Sequence, residues 1–185
     1  MQTRKLVVLD VDGVICGPRV HSSLPLQHPN TNVVAVGDKW CVTVSNDLPE
    51  FFAALYSKYD VAFYTSALEK NISPILSAVL SKEQRQRTVF CWYREHTHLD
   101  PEYVEGNTHG IKKYDTIKVL SNVWLHPVIN AERIYNRRNT IICDDSARKT
   151  RFNPAENVVT VGENGWQDPT KMLTDIDDTF DKLVL

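Results

Sequence analysis

The stretch Leu6-Val7-Val8-Leu9-Asp10-Val11-Asp12-Gly13-Val14 decides the fold. Its four leading apolar residues do not alternate with polar ones and end at an aspartate, a pattern typical of a strand buried on both faces of a parallel sheet. Similar short apolar runs recur at residues 61–64, 88–91, 140–143 and 158–161. The sequence therefore predicts an α/β fold with an open, mainly parallel sheet and flanking helices.

Helices are predicted between these strands. Asp47 is expected to cap a helix with Leu48 on its apolar face, and Asp115 to cap a second helix that carries Lys118 early. A last helix is expected to open at Asp168-Pro169. Strands that alternate with helices favour right-handed crossovers between parallel neighbours.

Residues 16–46 interrupt this alternation. They hold a proline-rich loop and two alternating stretches, 33–36 and 40–44, that are separated by Gly37-Asp38-Lys39. Such a pattern predicts a small antiparallel β-hairpin inserted after the first strand. The whole chain, residues 1–185, is expected to form a single domain.

Composition narrows the class of protein. The chain has 185 residues, of which 42% are hydrophobic and 24% charged, values that argue against disorder and fibrous folds. It has 21 Lys and Arg against 23 Asp and Glu, a net charge of −2, so it lacks an overall basic footprint and no direct nucleic-acid binding is expected. No apolar run approaches the roughly 18 residues of a membrane helix, and the start does not read as a signal peptide.

The cysteine pattern indicates the redox environment in which the protein is expected to lie. The four are scattered along the chain without a CxxC pair, and Cys143 ends an apolar run. A reduced core thiol is therefore expected at Cys143, in a soluble protein of the cytoplasm or nucleus.

Polar side chains follow three of the predicted strands, in the pairs Asp10 and Asp12, Thr65 and Ser66, and Asp144 and Asp145. Because the carboxyl ends of parallel strands meet at one edge of a sheet, we expect these six residues to share one crevice. Carboxylates so close together repel each other unless a cation lies among them. Oxygen ligands of this kind suit Mg²⁺, which also contacts substrate phosphates.

The spacing Asp10-Val11-Asp12 allows the two carboxylates to take different roles in the transfer of a phosphoryl group. One carboxylate can attack phosphorus while the other donates a proton to the leaving oxygen. Gly13 provides a tight turn that would let backbone amides approach a phosphate. Thr65 offers a hydroxyl to a phosphate oxygen.

A lysine is needed to offset the charge that builds up on a transferring phosphoryl group. Lys118 is the choice here, and Lys112 and Lys113 are its close rivals. A lysine on a solvated helix face is the alternative interpretation of Lys118.

These residues resemble motifs of the haloacid dehalogenase superfamily. Residues 6–14 look like its first motif, DxDx(T/V), and residues 48–52 followed by 61–67 are similar to the "LDEFL…VVFTAS" run of its C-terminal-domain phosphatases, the small-phosphatase and nuclear LIM-interactor-interacting factor family. The series continues in the family's order with Arg94-Glu95, Lys118-Val119-Leu120, Ile141 to Ser146 and Asn153-Pro154. The resemblance covers about residues 5 to 161.

The resemblance implies a haloacid dehalogenase-like fold and an Mg²⁺-dependent phosphatase that forms an aspartyl-phosphate. Its expected substrates are phosphoserine and phosphothreonine in proteins, the RNA polymerase II tail among them. By resemblance, the catalytic residues are Asp10, Asp12, Thr65 and Lys118. The substrate-binding residues implied are Thr65, Ser66, Lys118 and Arg94. The metal group implied is Asp10, Asp12 through its carbonyl, Asp144 and Asp145, and within it Asp144 would act from the second shell of ligands.

The intervals in which the superfamily inserts caps are short in this chain, residues 16–46 and about 93–114. A capless site open to an extended peptide is therefore expected. The chain departs from the family at Val44–Asp47, where an Arg-Pro-Gly run is common, and at Gly13-Val14, where Glu-Thr is common.

Two other functions fit the same residues. One is a non-catalytic scaffold that binds phosphoproteins, although degenerate relatives of that kind typically lose one of the paired aspartates. The other is a phosphatase for nucleotides or polynucleotide ends. The sequence does not assign an oligomeric state.

Overall fold

The computed structural model describes residues 4–24, 28–103 and 115–183. Its strands are β1 (Leu6–Leu9), β2 (Val20–His21), β3 (Thr31–Val36), β4 (Trp40–Ser45), β5 (Asp60–Tyr64), β6 (Cys91–Trp92), β7 (His98–Leu99), β8 (Thr116–Ile117), β9 (Thr140–Asp144) and β10 (Val158–Thr160). Its α-helices are α1 (Leu48–Lys58), α2 (Glu69–Val79), α3 (Lys82–Arg87), α4 (Ser121–Trp124), α5 (Ala147–Thr150) and α6 (Pro169–Leu183). Short 3₁₀ turns lie at Arg94–His96, Ala155–Asn157 and Gly165–Gln167.

The central layer is a five-stranded parallel sheet in the order β10-β9-β1-β5-β6. β1 lies in the middle, with Leu6 in register with Asp60 on one side and with Thr140 on the other. The predicted open parallel sheet is thus confirmed. The strand predicted at residues 88–91 begins only at Cys91, although the Val89 N–H already donates to the Val61 carbonyl at 2.8 Å.

The core lies on both faces of this sheet. Val7 and Leu9 of β1 pack in one cluster with α1 and α6, and Leu6 and Val8 pack in a second cluster with residues of β5 and β6. All four side chains of β1 are fully buried. Each buried aliphatic side chain contributes roughly 1.5–3 kcal/mol of transfer free energy, which explains why β1 carries no polar residue before Asp10.

Two of the helix predictions are confirmed in position. α1 buries Leu48 and neighbouring apolar residues, and α6 opens at Pro169. The predicted capping hydrogen bond of Asp47 is wrong, because its carboxylate instead accepts a hydrogen bond from Asn30 Nδ2 at 2.9 Å.

The helix predicted from Asp115 is also wrong. Thr116 and Ile117 form β8, which pairs with β7, and α4 begins only at Ser121. The Lys118 N–H donates to the Lys149 carbonyl at 2.8 Å. Its carbonyl accepts from Asn153 Nδ2 at 2.8 Å. Hydrogen bonds to neighbouring segments thus replace the local helical ones, and Lys118 lies on a buried, extended stretch.

The insertion after β1 forms a second, antiparallel sheet in the order β2-β4-β3. β3 and β4 are the predicted hairpin, and Gly37 takes the left-handed conformation of its turn with φ +66°. β2 adds a strand that the sequence did not predict. β3 packs against α2, and Val42 and Val44 of β4 belong to the same core cluster as Val7 and Leu9 of β1.

The four cysteines are free thiols, and Cys143 is buried as predicted. Among the helices of the described ranges, none combines the length and the apolar character needed to span a membrane.

Candidate functional site

Asp10 follows β1 directly at the carboxyl end of the central strand. Its N–H continues the ladder by donating to the Cys143 carbonyl at 2.9 Å, and its side chain is only 2% exposed. One carboxylate oxygen, Oδ1, accepts from the Val11 N–H at 2.8 Å, and the other lies 2.9 Å from Lys118 Nζ. The carboxylate is therefore held in one orientation before any ligand binds.

A tight turn follows Asp12. Gly13 has a φ of +82°, and a Cβ at this position would lie 2.2 Å from Asp145 Oδ2. Both the backbone conformation and the space thus require glycine. The Gly13 N–H donates within the turn to the Cys16 carbonyl at 2.8 Å, which holds the turn in place.

The residues predicted from the ends of β1 and β5 line one cleft, whereas Asp144 and Asp145 from the end of β9 are not among its lining residues. The cleft has a volume of about 370 Å³ and is lined by Asp10, Asp12, Thr65, Ser66 and Arg94, together with residues that the sequence did not single out. The cleft opens beyond the carboxyl ends of β1 and β5. Its position agrees with the general location of ligand sites in open α/β sheets.

The hydroxyl groups at the end of β5 are oriented by neighbouring groups. Thr65 Oγ1 accepts from the Ala67 N–H at 3.1 Å, which leaves its hydrogen available as a donor. Ser66 Oγ accepts from the Thr116 hydroxyl at 3.0 Å. Arg94 Nε donates to the Ser66 carbonyl at 2.8 Å and so fixes the guanidinium at the edge of the cleft.

Lys118 is completely buried behind Asp10. Its Nζ lies 2.9 Å from Asp10 Oδ2 and donates to Asp144 Oδ2 at 2.6 Å. Burial alone lowers the pKa of Lys118, but the attraction of the two carboxylates outweighs it and raises that pKa, so the side chain stays charged. The rival lysines, Lys112 and Lys113, lie outside the described residues.

The acidic pair after β9 completes the cluster. One oxygen from each of Asp10, Asp144 and Asp145 lies within 4.8 Å of the others. Asp144 accepts from Lys118 with one oxygen and from the Ser146 N–H at 2.8 Å with the other, whereas Asp145 is the most exposed of the three. Three hard oxygen donors beside the missing side chain of Gly13 fit a small divalent cation.

Three carboxyl groups around the cleft bind their protons more tightly than ordinary aspartates do. Burial raises the pKa of Asp10, Asp12 and Asp145, and the charge of Asp10 raises the pKa of the other two further. Asp12 differs from Asp10 in access, because its side chain is 41% exposed. Asp12 can therefore exchange a proton with a ligand or water in the cleft, and Asp10 is shielded from bulk solvent.

Two cations of the cleft were missed from the sequence. Lys149 Nζ lies 4.0 Å from Asp10 Oδ2, and Arg19 Nη2 lies 3.9 Å from Asp12 Oδ1. Lys149 stands four residues after Asp145, a spacing that would have placed it on the same face of a helix. Arg19 lies in the irregular loop before β2, where no periodic pattern marks it.

A buried ion-pair network supports the site from outside the cleft. Asp100 is fully buried and accepts from Arg151 Nη2 at 2.7 Å and from the Arg148 guanidinium. Arg148 belongs to α5, the helix that also carries Lys149. The network thus ties β7 and the residues after it to the segment that follows Asp145.

We expect Asp100→Asn to destabilise the fold by roughly 2 kcal/mol. Hydrogen bonds from Arg151 and Arg148 hold the pKa of Asp100 at about 2, below its ordinary value of 3.8. A lowered pKa stabilises the folded protein fully above about pH 4, and this contribution disappears as the pH falls towards 2. Chemical denaturation at pH 7 and pH 3 measures it, with Asp38→Asn in the exposed hairpin turn as the control; equal stability of Asp100→Asn and wild type at pH 7 would contradict the prediction.

A parallel sheet with acidic residues gathered at its carboxyl edge matches the haloacid dehalogenase-like class of α/β folds. Within that class, the chain belongs to the NLI interacting factor-like phosphatase family, whose family model matches residues 5–183. The resemblance noted in the sequence is thereby confirmed.

Individual relatives agree with this assignment. The chain is 26% identical over 160 residues, 84% of its length and 59% of the relative's, to an uncharacterised FCP1 homology domain-containing protein of Schizosaccharomyces pombe. It is similar in structure to Fcp1, an essential RNA polymerase II CTD phosphatase (11% identity, TM-score 0.54, covering 98% of this chain and 51% of that one). The fission yeast Fcp1 variant bound to beryllium fluoride gives 10% identity and a TM-score of 0.52, with coverages of 97% and 51%. At such identities the structural likeness shows the fold, and the chain spans between half and three-fifths of these relatives.

Proposed function

We propose that this phosphatase-family protein is an Mg²⁺-dependent protein phosphatase that removes phosphate from phosphoserine and phosphothreonine through a phosphorylated Asp10. The observation that carries the proposal is the buried Asp10 carboxylate beside the accessible Asp12, on a cleft of about 370 Å³ that Thr65 also lines. The names of the two Fcp1 structures support phosphorylated RNA polymerase II tail as one substrate.

The proposed reaction has two displacements. The Asp10 carboxylate attacks phosphorus while Asp12 donates its proton to the departing serine or threonine oxygen. A water molecule then gives its proton to Asp12 and attacks the phosphorus of phosphorylated Asp10, which releases inorganic phosphate and restores the carboxylate. Thr65 donates to a phosphate oxygen, Ser66 and Arg94 bind the substrate at the rim, and Lys118 holds Asp10 in place.

Asp10, Asp145 and the backbone carbonyl of Asp12 are proposed to hold Mg²⁺, with Asp144 fixing Lys118 behind them. The clustered carboxylate oxygens and the close approach of the Asp145 carboxylate to Gly13 support this assignment. When bound, the ion supplies positive charge that stabilises the phosphoryl oxygens.

Mg²⁺ should stabilise the folded protein, and more at pH 7.5 than at pH 5. In the metal-free protein the raised pKa values of Asp10, Asp12 and Asp145 mean that folding takes up protons above about pH 4, so stability falls as the pH rises. Mg²⁺ displaces those protons and therefore binds better at higher pH. At 100 times its Kd it would add about 2.7 kcal/mol, roughly 5 °C or more in Tm.

Thermal melts with MgCl₂, or with NaCl at equal ionic strength, measure this shift, and EDTA should reverse it together with the activity. Asp145→Asn should remove most of the shift. An Mg²⁺-independent melting temperature and activity at both pH values would exclude the proposed metal group.

Access to the cleft is proposed to be open. The described part of the first cap interval forms only a loop and the small sheet β2-β4-β3, and in the second interval residues 104–114 lie outside the described ones. An open cleft gains little from excluding water and has to rely on fixed charges and hydrogen-bond donors. An extended peptide is the substrate class that suits such a site.

Phosphoserine and phosphothreonine peptides should therefore be hydrolysed with a higher kcat/KM than free phosphoserine or mononucleotides. A phosphate-release panel of phosphopeptides, free phosphoamino acids, nucleotides and end-phosphorylated oligonucleotides, with and without Mg²⁺, tests this ranking. A strong preference for nucleotides or oligonucleotide ends would favour the second candidate enzyme. Phosphopeptide binding without turnover would favour the scaffold.

We further propose that residues 1–185 act as one domain in an intracellular, reducing compartment. β1 from the start of the chain pairs with β9 from its last third, so the central sheet needs both parts of the sequence. The four free thiols agree with the proposed compartment.

A further inference from the structure

Arg19 is a cation of the cleft that the reaction described above does not use. It lines the cleft together with Asp10, Asp12 and Thr65, and its side chain is 24% exposed. Among the described residues its ion-pair partner is Asp12, with Nη2 3.9 Å from Oδ1, which is beyond hydrogen-bond distance. Its Nε is buried and has no hydrogen-bond partner among the residues that the structure describes. The guanidinium thus keeps unused donors beside the reacting carboxylates.

Two of the other cations of the site, Lys118 and Arg94, already donate hydrogen bonds within the protein. Lys118 contacts both Asp10 and Asp144, and Arg94 donates through Nε to the Ser66 carbonyl. Lys149 lies 4.0 Å from Asp10, about as far as Arg19 lies from Asp12, but among the described residues it is Arg19, and not Lys149, that has a buried nitrogen without a partner. An unsatisfied buried donor carries a cost of desolvation that a ligand acceptor would relieve. Arg19 is therefore the cation of the cleft that has unused hydrogen-bond donors for an incoming anion.

The backbone on both sides of Arg19 is anchored. The Gly17 N–H donates to the Thr43 carbonyl at 2.8 Å, and Val20 pairs with Cys41 in the inserted sheet. A Cβ on Gly17 would lie 2.7 Å from the Trp166 ring, so the loop is packed closely against the body of the protein. Because the backbone is fixed before binding, Arg19 can bind a ligand at a low cost in conformational entropy.

Arginine presents a planar fork of donors that matches the oxygens of phosphate. The reaction proposed for Asp10 brings such a group into this cleft. We infer that Arg19 binds the oxygens of the substrate phosphate and that the inserted loop thereby adds a phosphate ligand to the site. This inference rests on the proposed phosphatase function.

The test compares Arg19→Gln and Arg19→Lys with wild type on two substrates, para-nitrophenyl phosphate and a phosphoserine peptide. We expect Arg19→Gln to raise KM for both by the same factor, roughly tenfold or more. Inhibition by inorganic phosphate should weaken by a similar factor, and Arg19→Lys should recover part of the loss. Arg138→Gln, which removes an exposed arginine just before the amino end of β9, at the opposite edge of the sheet, is the matched control. Melting temperatures of all variants show whether they fold.

Three outcomes would overturn the inference. Unchanged KM and phosphate inhibition in Arg19→Gln would mean that the guanidinium does not touch the phosphate. A loss confined to the peptide would assign Arg19 to the peptide chain. A shifted pH profile of kcat with unchanged KM would make it a positioning residue for Asp12.

Failure of the proposed function is recognised separately. If wild type hydrolyses neither substrate, calorimetric titration with inorganic phosphate still compares wild type with the two variants. Binding that is weakened in Arg19→Gln and partly restored in Arg19→Lys would support the phosphate ligand in a protein without turnover. Equal binding by all three would overturn it.

Discussion

Asp10→Asn should fold normally and lose phosphate release by roughly four orders of magnitude or more. The amide has nearly the shape of the carboxylate, but its oxygen is too weak a nucleophile to attack phosphorus. The fold should not suffer, because burial and the nearby Asp144 already raise the pKa of Asp10 and make its charge unfavourable in the metal-free protein. Its melting temperature should therefore equal or exceed that of wild type.

Phosphate release from a phosphoserine peptide at saturating Mg²⁺ measures the loss, and circular dichroism checks the fold. Asp38→Asn, the same change in the exposed turn of the hairpin, should keep full activity. Phosphorylated protein should be trapped on wild type by rapid acid quenching and should be absent from Asp10→Asn. Turnover within a factor of ten of wild type by the folded variant would exclude Asp10 as the nucleophile.

The central sheet could be predicted because its strands are buried on both faces and therefore carry runs of consecutive apolar residues. Leu6 and Val8 pack on one side of β1 and Val7 and Leu9 on the other, so four consecutive apolar residues are required. The hairpin of the insertion could be predicted for a different reason, since Gly37 between two alternating stretches marks a turn. In both cases the pattern that identifies the element lies within a few consecutive residues.

Elements whose hydrogen bonds come from distant residues could not be predicted. The Asp47 carboxylate is engaged by Asn30, and the backbone of Lys118 by Lys149 and Asn153. Local sequence favoured a cap and a helix at these positions. The partners that prevent them lie between 17 and 35 residues away along the chain.

The residues of the candidate site also fall into those that could be predicted from the sequence and those that could not. Residues at strand ends, such as Asp10, Thr65 and Asp145, could be brought together from topology alone, because parallel strands end at one edge. Arg19 enters from an irregular loop, and Asp100 acts through arginines of another segment. No sequence pattern at Arg19 or Asp100 indicates that the residue lies near the cleft or supports it.

Lys118→Met should produce the largest combined loss of stability and activity in the molecule. The ammonium is fully buried between Asp10 and Asp144, at 2.9 Å and 2.6 Å. Its removal leaves the two buried carboxylates with Lys149, 4.0 Å from Asp10, as their remaining cation among the described residues. Loss of one partner from a buried ion pair costs about 3–5 kcal/mol. Lys118 holds Asp10 in its orientation, and misplacement of an attacking group by about 1 Å costs roughly 10²-fold in kcat. Lys82→Met, at the exposed start of α3, should change neither property.

The pH dependence identifies the cause of the instability. With Lys118 present, its raised pKa means that its stabilising contribution is complete below the ordinary lysine pKa and is lost only at still higher pH. Without it, the buried Asp10 loses the charge that lowers its pKa and takes up a proton more readily, so Lys118→Met should be less destabilised at pH 5 than at pH 8. Adding Asp144→Asn should recover part of the stability at pH 8 without restoring activity, because one buried charge is then removed while Asp10 still lacks its lysine. Denaturant titrations of the single and double variants at both pH values measure these differences, and a destabilisation that is the same at pH 5 and pH 8 would show that the lost packing of the lysine stem, rather than its charge, is responsible.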